Sequence, residues 1–257
     1  MIHLYSSILD MSNFVLVHGA WHGAWCWSRV LPLLRKPGHS AHAVTLTGVG
    51  ERAHLLSPAI TLQTHINDVI GLIDAEELQD VILVVHSYAG MVGTGVADRL
   101  QERNPCRISH LVYLDASVPK PGEAWGDKHL PETRQARIAA AAKHPLSALP
   151  PPDPAVFGLA GDDHAWVQRR QTPHPFAPYT EPLHFDTARV ASIPRTFVDC
   201  TEPALATIAA SRERARSALT WDGAWLPGSR VVEMKTGHDP MVSAPAELAE
   251  ILLTCAS

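Results

Sequence analysis

The sequence predicts an α/β fold: a mostly parallel central sheet with helices on both faces and one inserted lid. Three observations point there. Val81-Ile82-Leu83-Val84-Val85 is an unbroken aliphatic run, the mark of a strand buried on both faces of a parallel sheet. Leu62, Ile66, Val69, Ile70 and Ile73, just before it, recur at helical spacing on a single face. Strand and helix patterns then alternate, which implies right-handed crossovers between parallel strands. At 257 residues, 46% of them hydrophobic and 18% charged, the chain can fill one such domain with an insertion and needs no second core.

Taken in order, residues 1–12 read as an N-terminal extension, because Met11 closely precedes the first convincing strand and could itself be the start. They have no basic leader, long apolar stretch or cleavage site of a secretory signal. Phe14 to Val17 is a short strand running into His18-Gly19-Ala20-Trp21-His22-Gly23, and a helix is expected from Ala24 to Lys36, stopped by Pro37-Gly38. Ala41 to Leu46 is the second strand. The run from Val81 to Val85 then reaches His86-Ser87-Tyr88 and turns into a small-residue helix beginning near Gly90. Ser109 to Asp115 is the next strand, with a carboxylate as its last residue.

From Ala116 to Ser192 the texture changes. Prolines crowd together, as in Leu149-Pro150-Pro151-Pro152-Asp153-Pro154, and Trp125, Phe157, Trp166, Phe176, Tyr179 and Phe185 are interspersed. A disordered linker would not carry so many large apolar groups, so residues 116–192 read as a lid, with helices expected over Thr133 to Lys143 and Ala155 to Arg170. The core then resumes over 193–257: a strand from Arg195 to Cys200, a helix from Ala204 to Arg216, a strand from Arg230 to Met234, and a closing helix capped by Ser243.

Composition excludes several classes. A formal charge of −5 with no Lys/Arg run argues against a nucleic-acid partner, and no segment is long and apolar enough to be read as a membrane span. Cys26, Cys106, Cys200 and Cys255 are scattered without ligand-like spacing, which fits reduced thiols in a cytoplasmic protein. Fifteen histidines are many, yet none forms an H-E-x-x-H pair; His18 with His22 and His39 with His42 lie in loop-like surroundings, so no metal site is expected.

The chemistry gathers where strands end. A serine on a sharp strand-to-helix turn is held out at the carboxyl edge of the sheet with helix N–H groups behind it. Ser87 occupies such a turn, although Val85 and Ala89 stand where the G-x-S-x-G pattern has glycines. Asp115 and His238 end or follow two other strands, giving serine, acid and histidine in the order of a nucleophile triad. Ser87 would attack a carbonyl, His238 would carry its proton, and backbone N–H groups of Ala20 and Tyr88 would hold the oxyanion. Trp21 and His86, beside these groups, are the candidate substrate contacts. The plainer readings are that Ser87 caps a helix and His238 braces a turn.

The stretches FVLVHGAWHGAWCW (Phe14 to Trp27), VILVVHSYAGM (Val81 to Met91) and TGHDPMVSAPAELAEILL (Thr236 to Leu253) resemble the α/β-hydrolase branch that contains plant methylesterases, hydroxynitrile lyases and bacterial carboxylesterases, some of them pyrethroid hydrolases. The resemblance covers nearly all of the chain after Met11, the lid least. It implies the α/β-hydrolase fold, a serine esterase acting on a small-molecule ester, and no cofactor. It also opens a question about the acid. Plant members carry C-T-E-D after the strand matching Thr196 to Cys200, whereas this chain has Cys200-Thr201-Glu202-Pro203. Asp115 is therefore the preferred acid and Glu202 the alternative. A hydroxynitrile lyase, a cofactor-independent dioxygenase and a catalytically idle receptor are the competing functions. The lyase is disfavoured because Gly19 and Asp239 stand where lyases carry threonine and lysine. A hydrophobic or aryl ester is the expected substrate, from the aromatic lid, and oligomeric state is not readable.

Overall fold

The computed structural model describes residues 11–217 and 230–256. Six strands form the central sheet: β1 Asn13–Val17, β2 Ser40–Val44, β3 Val81–His86, β4 Ile108–Leu114, β5 Arg195–Cys200 and β6 Arg230–Met234, in the order β6-β5-β4-β3-β1-β2 with every pairing parallel. The aliphatic run occupies β3, flanked by strands on both sides and buried along its whole length. Each of its large side chains contributes about 1.5–3 kcal/mol by leaving water.

Helices α1 (Leu31–Arg35), α2 (Leu62–Ala75) and α3 (Ala89–Arg103) supply the crossovers around β1 and β3. α2 starts where Thr61 accepts the Thr64 N–H in a capping box, and it buries Leu62, Ile66, Val69, Ile70 and Ile73 as the spacing requires. Every residue of α3 from Ala89 to Asp98 is buried. Gly93 explains how Val85 is tolerated at a usual glycine position: a Cβ on Gly93 would lie 2.4 Å from Val85 Cγ1. The small residue has moved from the strand to the helix that packs on it.

Four expected elements differ. The helix over Ala24 to Lys36 divides into a 3-10 turn, Ala24–Trp27, and α1, because Pro32 fits only the first turn of a helix. The expected helix over Ala155 to Arg170 divides into Pro154–Phe157 and Gly161–Gln168, and that over Ala204 to Arg216 into Ala206–Ile208 and Ala209–Arg216. Ser243 does not cap the last helix: Pro245–Leu253 starts from Ala244 without a side-chain cap, and the Ser243 hydroxyl bonds Thr236 Oγ1 and the Asp239 carbonyl instead.

Residues 116–192, between β4 and β5, contain α4 (Pro131–Lys143) and two short antiparallel ladders, Glu123–Ala124 with Pro182–Leu183 and Ala148–Leu149 with His174–Pro175. The expected extension over 1–12, and with it the choice of Met1 or Met11, lies outside the described residues except for Met11 and Ser12. No helix among the described residues is long and apolar enough to cross a membrane.

Candidate active site

Ser87 follows directly on β3 with φ 57°, a left-handed conformation rare for a residue with a side chain. Backbone bonds clamp it there: its N–H donates to the Leu114 carbonyl at 3.2 Å, and its carbonyl accepts from Gly90 at 3.1 Å and Ser117 at 2.9 Å. Ser87 does not cap α3, since Tyr88 is the N-cap residue and no side chain caps that end. Its hydroxyl lies 2.9 Å from Nε2 of His238.

His238 stands on the loop after β6, anchored by its N–H to the Phe157 carbonyl at 2.9 Å. Its Nδ1 lies 2.7 Å from Asp115 Oδ2. A carboxylate there keeps the ring proton on Nδ1 and leaves Nε2 free to accept from the serine. Asp115 follows β4 with φ 39°, is fully buried, and donates its N–H to the Val198 carbonyl at 2.7 Å. Of the two candidate acids, Asp115 is the one the fold brings to His238. Glu202 is exposed, and the bond recorded for it is from its N–H to the Thr236 carbonyl at 3.1 Å.

The other oxygen of Asp115 accepts from Arg212 Nη2 at 2.8 Å, and Arg212 Nε reaches Asp199 Oδ1 at 2.5 Å. A cation thus sits behind Asp115, as no local pattern in the sequence announces.

The loop after β1 passes directly over the serine. A Cβ on Gly19 would come within 2.8 Å of both Ser87 Cβ and His86 Nδ1, so only glycine fits. His18 Nδ1 donates to the Gly19 carbonyl at 2.7 Å and its Nε2 accepts the Leu46 N–H at 3.1 Å. Because Gly19 C=O and Ala20 N–H belong to one peptide plane, the imidazole fixes the direction of that N–H. Burial holds His18 down to about 3, so it remains neutral. Among the described residues, neither the Ala20 nor the Tyr88 N–H has an intramolecular acceptor. The Tyr88 hydroxyl bonds His65 Nδ1 at 2.9 Å.

A second buried charge system lies beside the first. His22 Nδ1 is 2.8 Å from the Ala20 carbonyl and Nε2 is 3.1 Å from Asp239 Oδ2, so both ring nitrogens face oxygen acceptors. Burial opposes charge on His22, but Asp239 and the Ala20 carbonyl outweigh it and raise its pKa. Burial likewise pushes Asp239 up, while His22 more than reverses this and brings it to about 2. The result is a buried hydrogen-bonded pair, an ion pair whenever His22 is protonated, tying the loop after β1 to the residue following His238. Sequence reasoning considered His22 only as a metal ligand and Asp239 only as a missing lysine.

His86, expected to touch substrate, is buried: its Nε2 donates to the His238 carbonyl at 2.8 Å, and its ring packs at a tilt against that of His238, centroids 4.6 Å apart. It braces His238 from behind. Trp21 does border a cavity; its Nε1 donates to the Leu149 carbonyl at 3.1 Å and its own carbonyl accepts from Thr172. Trp125 packs on Tyr88, and Phe157 on His238, with ring centroids 4.9 and 5.5 Å apart. His86, His238 and Asp239 bring ligand atoms within 4.8 Å of one another. Both His238 nitrogens are engaged by Asp115 and Ser87, so His238 itself has no vacant donor.

The model of the alpha/beta hydrolase family matches residues 14–251. A carbendazim hydrolyzing esterase from Nocardioides sp. (strain SG-4G) is 46% identical over 94% of this chain and 98% of its own length. Methylesterase 10 of Arabidopsis thaliana is 34% identical over 43% of this chain and 39% of its own. An extracellular alpha/beta-hydrolase from a Paenibacillus species superposes with a TM-score of 0.77 at 23% identity, covering 95% of this chain and 98% of that one.

Proposed function

The chain belongs to the alpha/beta hydrolase family as an ester-cleaving member, and from that premise we propose that it works through a serine acyl-enzyme. The observation that carries this reading is the continuous contact from Ser87 Oγ through His238 to Asp115, 2.9 and 2.7 Å. In the proposed mechanism Ser87 Oγ attacks the ester carbonyl as its proton passes to His238 Nε2. The carbonyl oxygen, now an alkoxide, is held by the N–H groups of Ala20 and Tyr88. Protonated His238 then donates to the leaving alcohol as the tetrahedral intermediate collapses. Water, deprotonated by the same imidazole, releases the acid and restores Ser87. The serine proton leaves with the alcohol and a proton from water replaces it, so the enzyme is restored and the reaction needs no cofactor.

Residues 116–192 act in this reading as the lid, with Trp125 and Phe157 closing over the site and Trp21 forming a wall. Ser87 is 9% exposed, so substrate enters when the segment moves. An aryl or otherwise hydrophobic small-molecule ester suits such walls, and carbendazim is the first compound to assay, given the relative that hydrolyses it. Four free thiols, Cys106 exposed among them, fit a reducing, cytoplasmic setting. The lyase alternative is weakened further by Asp239, a buried carboxylate beside His238 where departing cyanide would require a cation.

The deciding experiment is turnover of short-chain p-nitrophenyl esters, with a phosphonate probe to trap the nucleophile. Ser87→Ala should lose at least 10⁴-fold in kcat, on the scale known for triad serines, and should no longer take up the phosphonate. Turnover surviving in Ser87→Ala would reject the serine mechanism, and binding without any turnover in the native protein would favour a receptor.

A further inference from the structure

Arg137 lies on α4, within the segment that covers the site, and its surroundings are unusual for a guanidinium. Its Cζ sits 5.4 Å from the Trp21 ring, 5.1 Å from that of Trp125 and 5.5 Å from that of Tyr179. Its polar neighbours are neutral: Nη1 is 3.4 Å from His129 Nδ1, and the Tyr179 hydroxyl shares a hydrogen bond with it. Among the described residues no carboxylate forms a salt bridge with Arg137, whereas Arg134, one turn away, has Asp127. A half-buried cation without a counter-ion costs free energy unless something else supplies the negative charge.

The group faces a space able to take such a partner. Trp21, Thr133, Arg137, Leu149, Pro150 and Pro152 line a cavity of about 330 Å³, mostly apolar apart from the guanidinium. Its Trp21 wall is the residue immediately after Ala20, the proposed oxyanion donor. A second buried group lacks a partner nearby. His174 is fully buried, neither of its ring nitrogens has a hydrogen bond among the described residues, and it packs on the same Trp21 and Trp125 indoles.

We propose that this cavity receives the end of the ester remote from the scissile bond and that Arg137 recognises a carboxylate there. The preferred substrates are then small aryl esters bearing a second, ionised acid group. Guanidinium and carboxylate match in charge and in planar, two-point geometry, and the tryptophan faces stack the aryl ring between the two ends. The inference rests on the esterase reading above and refines its substrate class.

The test compares two charged esters, methyl 4-carboxybenzoate and 4-carboxyphenyl acetate, with their 4-methyl counterparts, so that the carboxylate is offered on the acyl and on the alcohol side. In the native protein at least one charged ester should exceed its counterpart about 10- to 100-fold in kcat/KM, the scale of one charge-assisted hydrogen bond, with the difference in KM. Arg137→Gln should erase that preference and Arg137→Lys restore part of it, with thermal unfolding confirming that both variants fold. The proposal falls if neither charged ester is preferred, if the preference survives Arg137→Gln, or if that variant weakens charged and neutral esters alike. Loss of the serine mechanism would be seen separately, as turnover in Ser87→Ala.

Discussion

α3 and α4 are nearly equal in length, 15 and 13 residues, and they are built in opposite ways. α3 follows the serine turn and is buried without a break from Ala89 to Asp98, its small residues pressed against β3. α4, in the inserted segment, buries only Ala141 and leaves Ile138 exposed, and cavities flank it on two sides. The contrast divides the labour of the molecule. The residues that meet at Ser87 hang from backbone packed on both sides, whereas the inserted segment, the lid of the proposed mechanism, is packed more loosely. Each expectation below can break or sharpen that division.

The largest effect should fall on the rigid side. Asp115→Asn keeps the shape of the acid but removes the charge that holds the His238 proton on Nδ1, so kcat should fall about 10³- to 10⁴-fold, the scale seen when triads lose this charge. Glu202→Gln should leave the rate within about twofold, as an exposed side chain outside the contact chain. Steady-state kinetics on one p-nitrophenyl ester check both, and reversed outcomes would move the acid off β4.

Acid should unfold the molecule through its buried histidines, three on the sheet side and His174 in the inserted segment. His18 is lowered to about 3 and His65 to about 4, and His86 and His174 lie well below their ordinary value, burial being the main cause in each. A lowered folded pKa means that the unfolded chain takes up a proton the native state refuses, so stability is full above about pH 6.5 and declines as pH falls. Each of the four should cost about 1.2 kcal/mol between pH 7 and 5.5. His22 runs the other way: its pKa is raised, so its contribution is present below pH 6.5 and is lost as pH rises through the folded value. Urea unfolding from pH 7 to 5 should show a net loss of several kcal/mol, and a flat profile would contradict these neutral burials.

How much of this was legible in the sequence follows from how local each cause is. Strands β5 and β6 end where the residue pattern says, because alternation and punctuation are local signals. The placement of Ser87 and His238 was legible for the same reason, each in a turn bounded by an apolar strand and a helix. Pairings across the chain were not. His22 meets Asp239 across 217 positions and Arg212 meets Asp115 across 97, and no periodicity links such partners. Val85 was visible as an anomaly, but its compensation at Gly93 depends on the packing of a strand against the following helix. α4 was legible as a helix from Ala-rich propensity alone, which says nothing of what it covers.

The His22–Asp239 pair joins the two loops of the rigid side, and Asp239→Asn should show what that link contributes. The substitution leaves a buried imidazole without its counter-ion, at a cost of about 3 kcal/mol in urea unfolding. The effect on kcat should be smaller than that of Asp115→Asn, since Asp239 touches no reacting atom. If kcat fell as far with Asp239→Asn as with Asp115→Asn, the two carboxylates would have to share the work of orienting His238, and the assignment of roles would need revision.

The smallest effect should come from α4. Ile138→Ser removes an apolar side chain that is 38% exposed, so little area returns to water and the global unfolding free energy should change by no more than about 0.5 kcal/mol. Val92→Ala in α3 deletes two methyl groups from a side chain with no exposure and should cost about 1–3 kcal/mol through lost burial and the void left behind. Measured side by side, the two changes read the packing difference directly. A cost above about 2 kcal/mol for Ile138→Ser would mean that the outer face of α4 is covered in solution by another surface, and the idea of a loosely held segment above a rigid sheet would fail there.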